Sequence, residues 1–259
     1  MRPFPLRRLL GVDFFAGPLP VAVDWVVGQR DGSGARLAVA PSAPGLAVDF
    51  VKSAAYREAL TSASLVLTDS SFMVMLWWMI TGEKLPRHSG LKFLRAVLAR
   101  PEIKEPGAVF WVMPSAEEDA HNRAWLVANG FPVTTDDVYV APHYPVGPIT
   151  DDVLLSRIEA RNPRLVMLAI GGGVQERLGL MLRNRLNGSP SILCLGAAIA
   201  FITGGQANIP PWADRLMLGL FIRFVGNPRK FWRRYWDSFP LVSLLWRHRE
   251  RLPPLAPNT

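Results

Sequence analysis

The residue types able to do chemistry in this chain fall into a few short clusters: Asp69-Ser-Ser71, Arg87-His88, Gly171-Gly-Gly-Val-Gln-Glu176, Leu195-Gly196, and an arginine-rich C-terminal stretch. Asp69 ends the apolar run Leu65-Val-Leu-Thr68. A carboxylate at the mouth of a strand can take a proton from a hydroxyl as a general base. Asp-Ser-Ser ahead of an apolar helix is equally good N-capping sequence. Arg87, behind Leu85-Pro86, can grip a diphosphate through its guanidinium or simply face water. Gly171, Gly172 and Gly173 follow the apolar run Leu165–Ile170 and open a helical pattern. Backbone N–H groups at such a turn suit a phosphate, although a tight strand–helix turn needs the same glycines. Gln175 and Glu176 in the first helical turn can bind sugar hydroxyls, or cap and complement the helix dipole. Gly196 marks a second small-residue turn after another apolar run.

The elements that must position these residues alternate. Strand-like runs stand at Arg36–Ala40, Leu65–Thr68, Val109–Met113, Val138–Val140, Leu165–Ile170 and Ser191–Leu195. Helical periodicity marks Asp49–Ser62 (with Val51, Ala54, Ala55 and Leu60 inward), Glu117–Asn129, Asp151–Ala160 and Gln175–Arg185. Val21–Val27 is amphipathic, and Phe72–Ile80, apolar all round, is expected to be a helix packed on both sides. This alternation predicts an α/β fold, a Rossmann-like parallel sheet covered by helices on both faces. Ligands in such folds sit beyond the carboxyl ends of the strands, where Asp69 and the glycine cluster both fall.

The chain has 259 residues, 49% of them hydrophobic, enough to bury one sizeable core. Its net charge of +8 calls for an anionic partner. The single cysteine, Cys194, lies in an apolar run and reads as a buried thiol in a reducing compartment. Four histidines (His88, His121, His143, His248) show no metal-ligand spacing, so neither a metal site nor a cofactor is expected. No stretch reaches the roughly 18–20 apolar residues that span a bilayer. The basic start is broken by prolines and by Asp13, so it is not read as a signal peptide, and a cytoplasmic protein is expected. From Arg223 onward, Arg229, Lys230, Arg233, Arg234, Arg247, Arg249 and Arg251, against only Asp237 and Glu250, interleave with Phe231, Trp232, Tyr235, Trp236 and Trp246. That mixture suits an anionic bilayer, a single-stranded nucleic acid, or a helix docked by its aromatics. The expected division is therefore 1–222 as the α/β domain and 223–259 as a basic-aromatic helical appendage.

In order and spacing these segments resemble the WecG/TagA/CpsF family of bacterial glycosyltransferases. The resemblance runs from Leu10-Gly-Val-Asp13 through Ala59–Asp69, Leu85-Pro-Arg-His-Ser-Gly90, Ala141-Pro-His-Tyr144, Gly171–Glu176, Leu195–Gly204, Pro210-Pro-Trp212 and Asn227–Tyr235. It implies an inverting hexosyl or N-acetylhexosaminyl transfer from a UDP-sugar to a polyprenyl-diphosphate-linked acceptor, in making a cell-wall or capsule polysaccharide and without an essential metal. It implies Asp69 as base, Arg87 as an active-site arginine, and Gly171, Gly172, Gly173, Gln175, Glu176 and Gly196 around the nucleotide-sugar. Arg223, Arg229, Arg233 and Arg234 would close on the diphosphate and seat the protein peripherally on the inner face of the cell membrane. Nucleic acid is not an expected partner, and homo-oligomers are common in the family. This chain departs from the family pattern at Ala40-Pro-Ser42, Ser70, Lys92, Gly173-Val174, Ala200 and Gly219-Leu220. Those departures allow a second reading, a catalytically degenerate partner in a polysaccharide assembly complex.

Overall fold

The computed structural model describes residues 4–28, 32, 34–196, 198–204 and 236–256. Its elements, in chain order, are β1 (Leu6–Leu9), β2 (Val12–Phe15), α1 (Leu19–Val27), β3 (Arg36–Val39), a π-helical turn Gly45–Asp49, α2 (Phe50–Lys52), α3 (Ala54–Ser62) and β4 (Leu65–Val66). There follow α4 (Ser71–Thr81), α5 (Gly90–Leu98), β5 (Val109–Met113), α6 (Ala116–Ala128), β6 (Val138–Val140) and α7 (Asp152–Arg161). β7 (Leu165–Leu168), α8 (Val174–Arg185), β8 (Ser191–Cys194), α9 (Ala198–Thr203) and α10 (Pro240–His248) complete the described fold.

Six strands form one sheet in the order β4-β3-β8-β7-β5-β6, all parallel in register. Parallel strands buried on both faces read as unbroken apolar runs, and β5, β7 and β8 are buried at every position. Successive side chains alternate between two cores. Val39, Val112, Leu168 and Cys194 point to the side covered by α3, α4, α7, α8 and α10. Ala38, Trp111, Met167 and Leu193 point to the side of α1, α5, α6 and α9. The fold is thus the helix-covered, Rossmann-like parallel sheet that the alternation predicts.

Helix boundaries follow their caps. The pattern Asp49–Ser62 is not one helix: Ser53 takes an extended conformation and its hydroxyl accepts from Tyr56 N, so α2 stops and α3 starts afresh. The inward face of α3 is accordingly Tyr56, Ala59 and Leu60, while Ala54 is exposed. Asp151 caps α7 through Leu154 N rather than standing inside it. α4 ends at Gly82, whose φ of +75° only glycine adopts at no steric cost. Contrary to expectation, α4 is not packed all round: Leu76 and Trp77 are buried, but Met75, Trp78 and Met79 are exposed.

Two elements carry no flag in the strand–helix reading. The antiparallel hairpin β1–β2 turns at Leu10 and Gly11, both with positive φ, the two-residue turn that matches strand twist. Its tip is covered by the C-terminal segment: Leu10 N donates to Arg249 O at 2.7 Å and Gly11 N to Glu250 O at 2.9 Å. A Cβ on Gly11 would stand 2.8 Å from that of Leu252. α5 begins where the Ser89 hydroxyl accepts from Lys92 N. Leu241 and Leu245 of α10 are fully buried in the core that holds α4.

Gly179 sets how closely α8 lies on the sheet. A Cβ there would stand 2.8 Å from both Cys194 Sγ and Leu37 Cδ1. Gly179→Val is expected to overpack this contact and destabilise the protein by about 1–3 kcal/mol. The check is a lower denaturant midpoint at unchanged m-value.

Candidate functional site

Four adjacent strands, β4, β3, β8 and β7, deliver their carboxyl ends to one edge of the sheet. Asp69 follows β4, Ala40 follows β3, Leu195-Gly196 follow β8, and Ile170-Gly171 follow β7. The site is a row of contacts along that edge.

At one end, the segment 86–90 is strapped to the end of β4. His88 N donates to Thr68 O at 3.3 Å and Thr68 Oγ1 at 3.1 Å, and Arg87 Nε donates to Asp69 O at 3.3 Å. Gly90 N, in the first turn of α5, donates to Asp69 Oδ1 at 2.8 Å. The N-cap of α4 is Ser70, whose hydroxyl accepts from Met73 N at 3.1 Å. Asp69 therefore does not cap the helix that follows it. Its carboxylate is instead oriented by the N-terminus of α5, where negative charge is favoured. His88 anchors the strap from below: its Nε2 lies 2.8 Å from Gly17 O, which assigns the proton to that nitrogen. Burial pushes the His88 pKa down, against the pull of that carbonyl.

Gly90 joins this end to the next turn. A Cβ on it would sit 3.4 Å from Ala40 Cβ, 3.6 Å from Leu195 O and 3.8 Å from Asp69 Oδ1. Beyond Leu195, Gly196 has a φ of +63° and its N–H donates to Gln175 Oε1 at 2.8 Å. Gln175 Nε2 donates to Glu176 Oε1 at 3.0 Å, and Glu176 Oε2 accepts from Gly173 N at 2.6 Å. Two buried side chains thus bridge the turn after β8 to the turn after β7. Burial pushes the Glu176 carboxyl up to about 7, although the Gln175 amide and Gly173 N–H pull the other way, and nearby Asp49 adds to the rise.

The three glycines differ in what they require. Gly173 has a φ of +85°, and a Cβ there would lie 3.4 Å from Asp49 Oδ2. Gly171 and Gly172 are exposed, with open space where a Cβ would stand, so their backbone is accessible to a ligand. The far side of the turn is held by Arg177, whose Nε donates to Gly173 O at 3.1 Å and whose Nη1 donates to Pro145 O at 2.9 Å and to Gly147 O. The loop so gripped is anchored by Asp151, which accepts from Tyr144 OH at 2.6 Å and Tyr139 OH at 3.0 Å. Burial and the bond to Asp151 raise both phenols, Tyr139 to about 12.

The structure brings together Asp69, Arg87, Gly171, Gly172, Gly173, Gln175, Glu176 and Gly196. Gln175 is drawn inward, its oxygen on Gly196 and its nitrogen on Glu176, and serves as a brace between turns. Arg223, Arg229, Arg233 and Arg234 lie outside the described residues. Asp49 and Arg177 were not singled out from the sequence. Asp49 is half-buried; burial, and less so Asp237, raise its pKa against Arg177 and Lys52. Its one sequence signal was position, in the segment leaving β3 at the carboxyl edge. Tyr56, under the same turn, is raised by burial and then by Glu176. Cys194 is a buried thiol donating to Gln175 O at 3.3 Å. Of the departures from the family pattern, Ala40 lies beside Gly90, Ser42 Oγ accepts from Gly45 N at 3.3 Å, Lys92 is exposed and Ala200 is buried on α9, while Gly219 and Leu220 lie outside the described residues.

The chain matches the family model described as Glycosyl transferase WecG/TagA/CpsF family over residues 7–254. The match covers nearly the whole chain, which therefore belongs to that family and is a glycosyltransferase. No curated protein matches the chain at a significant level.

The raised carboxyl of Glu176 makes stability depend on pH. A folded-state pKa near 7, above the unfolded value of 4.5, means that the folded protein holds the extra proton between those pH values. Stability is then expected to fall as pH rises from about 4.5 through 7. Relative to Glu176→Gln, the wild type should lose roughly 1–3 kcal/mol across that window. Urea denaturation at a series of pH values checks both the sign and the midpoint.

Proposed function

With family membership as premise, we propose that this glycosyltransferase moves a sugar from a UDP-sugar to a polyprenyl-diphosphate-linked acceptor, with inversion, in building a bacterial cell-surface polysaccharide. The observation that carries this reading is the row along the carboxyl edge: Arg87, Asp69 and Gly90 at one end, Gly90 beside Leu195, and Gly196 braced through Gln175 and Glu176 to Gly173. It sets a carboxylate and a glycine turn on one edge of the sheet, where nucleotide ligands of parallel α/β folds bind.

In this reading Asp69 accepts the proton of the acceptor hydroxyl, its carboxylate pre-aimed by Gly90 N–H. The freed oxygen forms a bond to the anomeric carbon as the bond from that carbon to the donor phosphate breaks, and the nucleoside diphosphate leaves. Exposed backbone at Gly171 and Gly172, heading α8, suits the diphosphate. Arg87 is tethered beside Asp69 through its Nε and offers a cation to the negative charge that builds on the leaving group. Arg223, Arg229, Arg233 and Arg234 would add cations over the same charge, and the protein would work peripherally at the inner face of the membrane. The Gln175–Glu176 brace keeps both turns at fixed spacing and so acts by positioning.

A thermal-shift titration with UDP, GDP and their sugar conjugates tests the donor. A UDP-selective rise of about 2.7 kcal/mol in stability is expected at a hundredfold excess over Kd. Arg87→Ala should weaken that rise. Asp69→Asn should keep it while lowering transfer to a lipid-linked acceptor by about 10²–10⁴-fold. No shift with any nucleotide would turn the reading toward the degenerate assembly partner.

A further inference from the structure

The π-helical turn Gly45–Asp49 lies beyond the carboxyl end of β3 and delivers the side chain of Asp49 to the glycine turn. Its oxygens lie 3.4 and 3.9 Å from the point where a Cβ on Gly173 would stand, next to the exposed backbone of Gly171 and Gly172. The turn that carries it is fixed from several sides. Ser42 Oγ accepts from Gly45 N at 3.3 Å, and Phe50 N donates to both Gly45 O and Val48 O. Gly45 lies so close to Tyr56 that a Cβ there would collide with the phenol oxygen. Leu46 is fully buried in the core that holds Leu241 and Leu245 of α10. Asp49 O accepts from Ser53 N at 2.8 Å, and Val51 O accepts from Ala256 N at 2.8 Å. π-helical turns inserted in this way gather at functional sites.

The backbone of Asp49 is thus held, but its carboxylate is not. No donor among the described residues reaches its two oxygens within hydrogen-bond distance, and Arg177 and Lys52 act on them only at longer range. Arg177 is committed to the carbonyls of Gly173, Pro145 and Gly147. Glu176, across the same turn, shows the contrast: both its oxygens are satisfied, by Gly173 N–H and by the Gln175 amide. Burial raises the Asp49 pKa, with Asp237 adding to the rise, by more than the two cations lower it. An ionised carboxylate offers about four acceptor positions. Leaving them empty in a half-buried place costs stability, and local rules of this kind are broken where a ligand is served.

The acceptor selects the ligand chemistry. A carboxylate repels phosphate and accepts from O–H and N–H donors. Beside a backbone suited to diphosphate, it meets the flanks of that diphosphate, where a nucleotide-sugar carries hydroxyls on its ribose and on its transferred sugar. Two coplanar oxygens match two hydroxyls on neighbouring carbons, much as an acidic residue holds the ribose in other parallel α/β folds. A divalent cation is matched less well, because no three His, Cys, Asp or Glu side chains converge among the described residues. We propose that Asp49 is a specificity residue, whose carboxylate accepts hydrogen bonds from two neighbouring hydroxyls of the nucleotide-sugar donor, on its ribose or on its transferred sugar. The proposal rests on the donor reading and adds to it the group that recognises the donor's hydroxyls.

The test is calorimetric titration of the full chain, of Asp49→Ala and of Asp49→Asn with UDP, dUDP (which lacks one ribose hydroxyl), UDP-glucose and UDP-N-acetylglucosamine, with the guanosine counterparts in parallel. If the hydroxyls are the ribose's, the wild type binds UDP about ten- to a hundredfold tighter than dUDP, and Asp49→Ala erases that preference. If they are the transferred sugar's, the wild type binds a UDP-sugar tighter than UDP by a similar factor, and Asp49→Ala erases that gain while UDP affinity stays. Asp49→Asn, which keeps one acceptor oxygen, falls between. Both variants should melt at or above the wild-type temperature, since a half-buried carboxylate without donors has been removed. An aspartate with a merely structural role would lower it. Preferences that survive in Asp49→Ala, or a wild type that shows neither preference, overturn the proposal. So does an equal loss for every nucleotide, or tighter binding throughout, the mark of simple charge repulsion. A wild type that binds no nucleotide overturns the donor reading as well, whereas nucleotide binding with unchanged preferences sinks this inference alone.

Discussion

The carboxylate of Glu176 sits between two glycine turns with almost no access to water, and the geometry of the site depends on it. Burying a carboxylate is costly unless its oxygens are satisfied. Here one oxygen takes Gly173 N–H and the other takes the Gln175 amide, whose own oxygen takes Gly196 N–H. The bridge converts the ends of β7 and β8, which the sheet holds only by their strands, into one rigid ledge. Burial raises its pKa to about 7, so keeping the carboxylate ionised at neutral pH works against the fold. Closing the two turns is the compensation.

A second constraint aligns the other half of the edge with this ledge. The strap 86–90 cannot move without breaking bonds to Thr68 and Asp69, and Gly90 borders Ala40 and Leu195. Asp69 is thereby fixed to the same frame as Gly196. The departures of this chain from the family pattern are therefore partly absorbed by packing: Ala40 fills the seam, and Ser42 tightens the turn that presents Asp49 to Gly173.

Much of the frame was legible in the sequence because parallel strands buried on both faces leave unmistakable apolar runs, as at Val109–Met113 and Leu165–Leu168. What periodicity could not reveal depends on contacts far along the chain. The Asp49–Ser62 pattern hid a break, because Ser53 prefers to cap Tyr56 rather than continue the helix. The β1–β2 hairpin was invisible because its turn is Leu10-Gly11 and the cover that stabilises it comes from residues 249–252. Apolar residues all round α4 suggested burial on both sides, yet composition alone cannot tell a core face from an exposed one. At the site, Asp69 and the glycine turn were placed by their positions after strands. Asp49 and Arg177 were missed because their roles come from the π-helical turn and from the loop at 145–147, neither of which leaves a local signature. Ser70 rather than Asp69 caps α4, a choice that local sequence left open.

The central claim is that the ledge at Gly171–Gly173 and the carboxylate of Asp69 face one nucleotide-sugar site. A crystal structure of the protein with UDP tests it most directly. The account predicts the diphosphate against the backbone of Gly171 and Gly172 at the head of α8, with Arg87 and Asp69 facing it across the ends of β8 and β3. UDP bound elsewhere on the molecule, or a carboxyl edge left empty at saturating UDP, would contradict it.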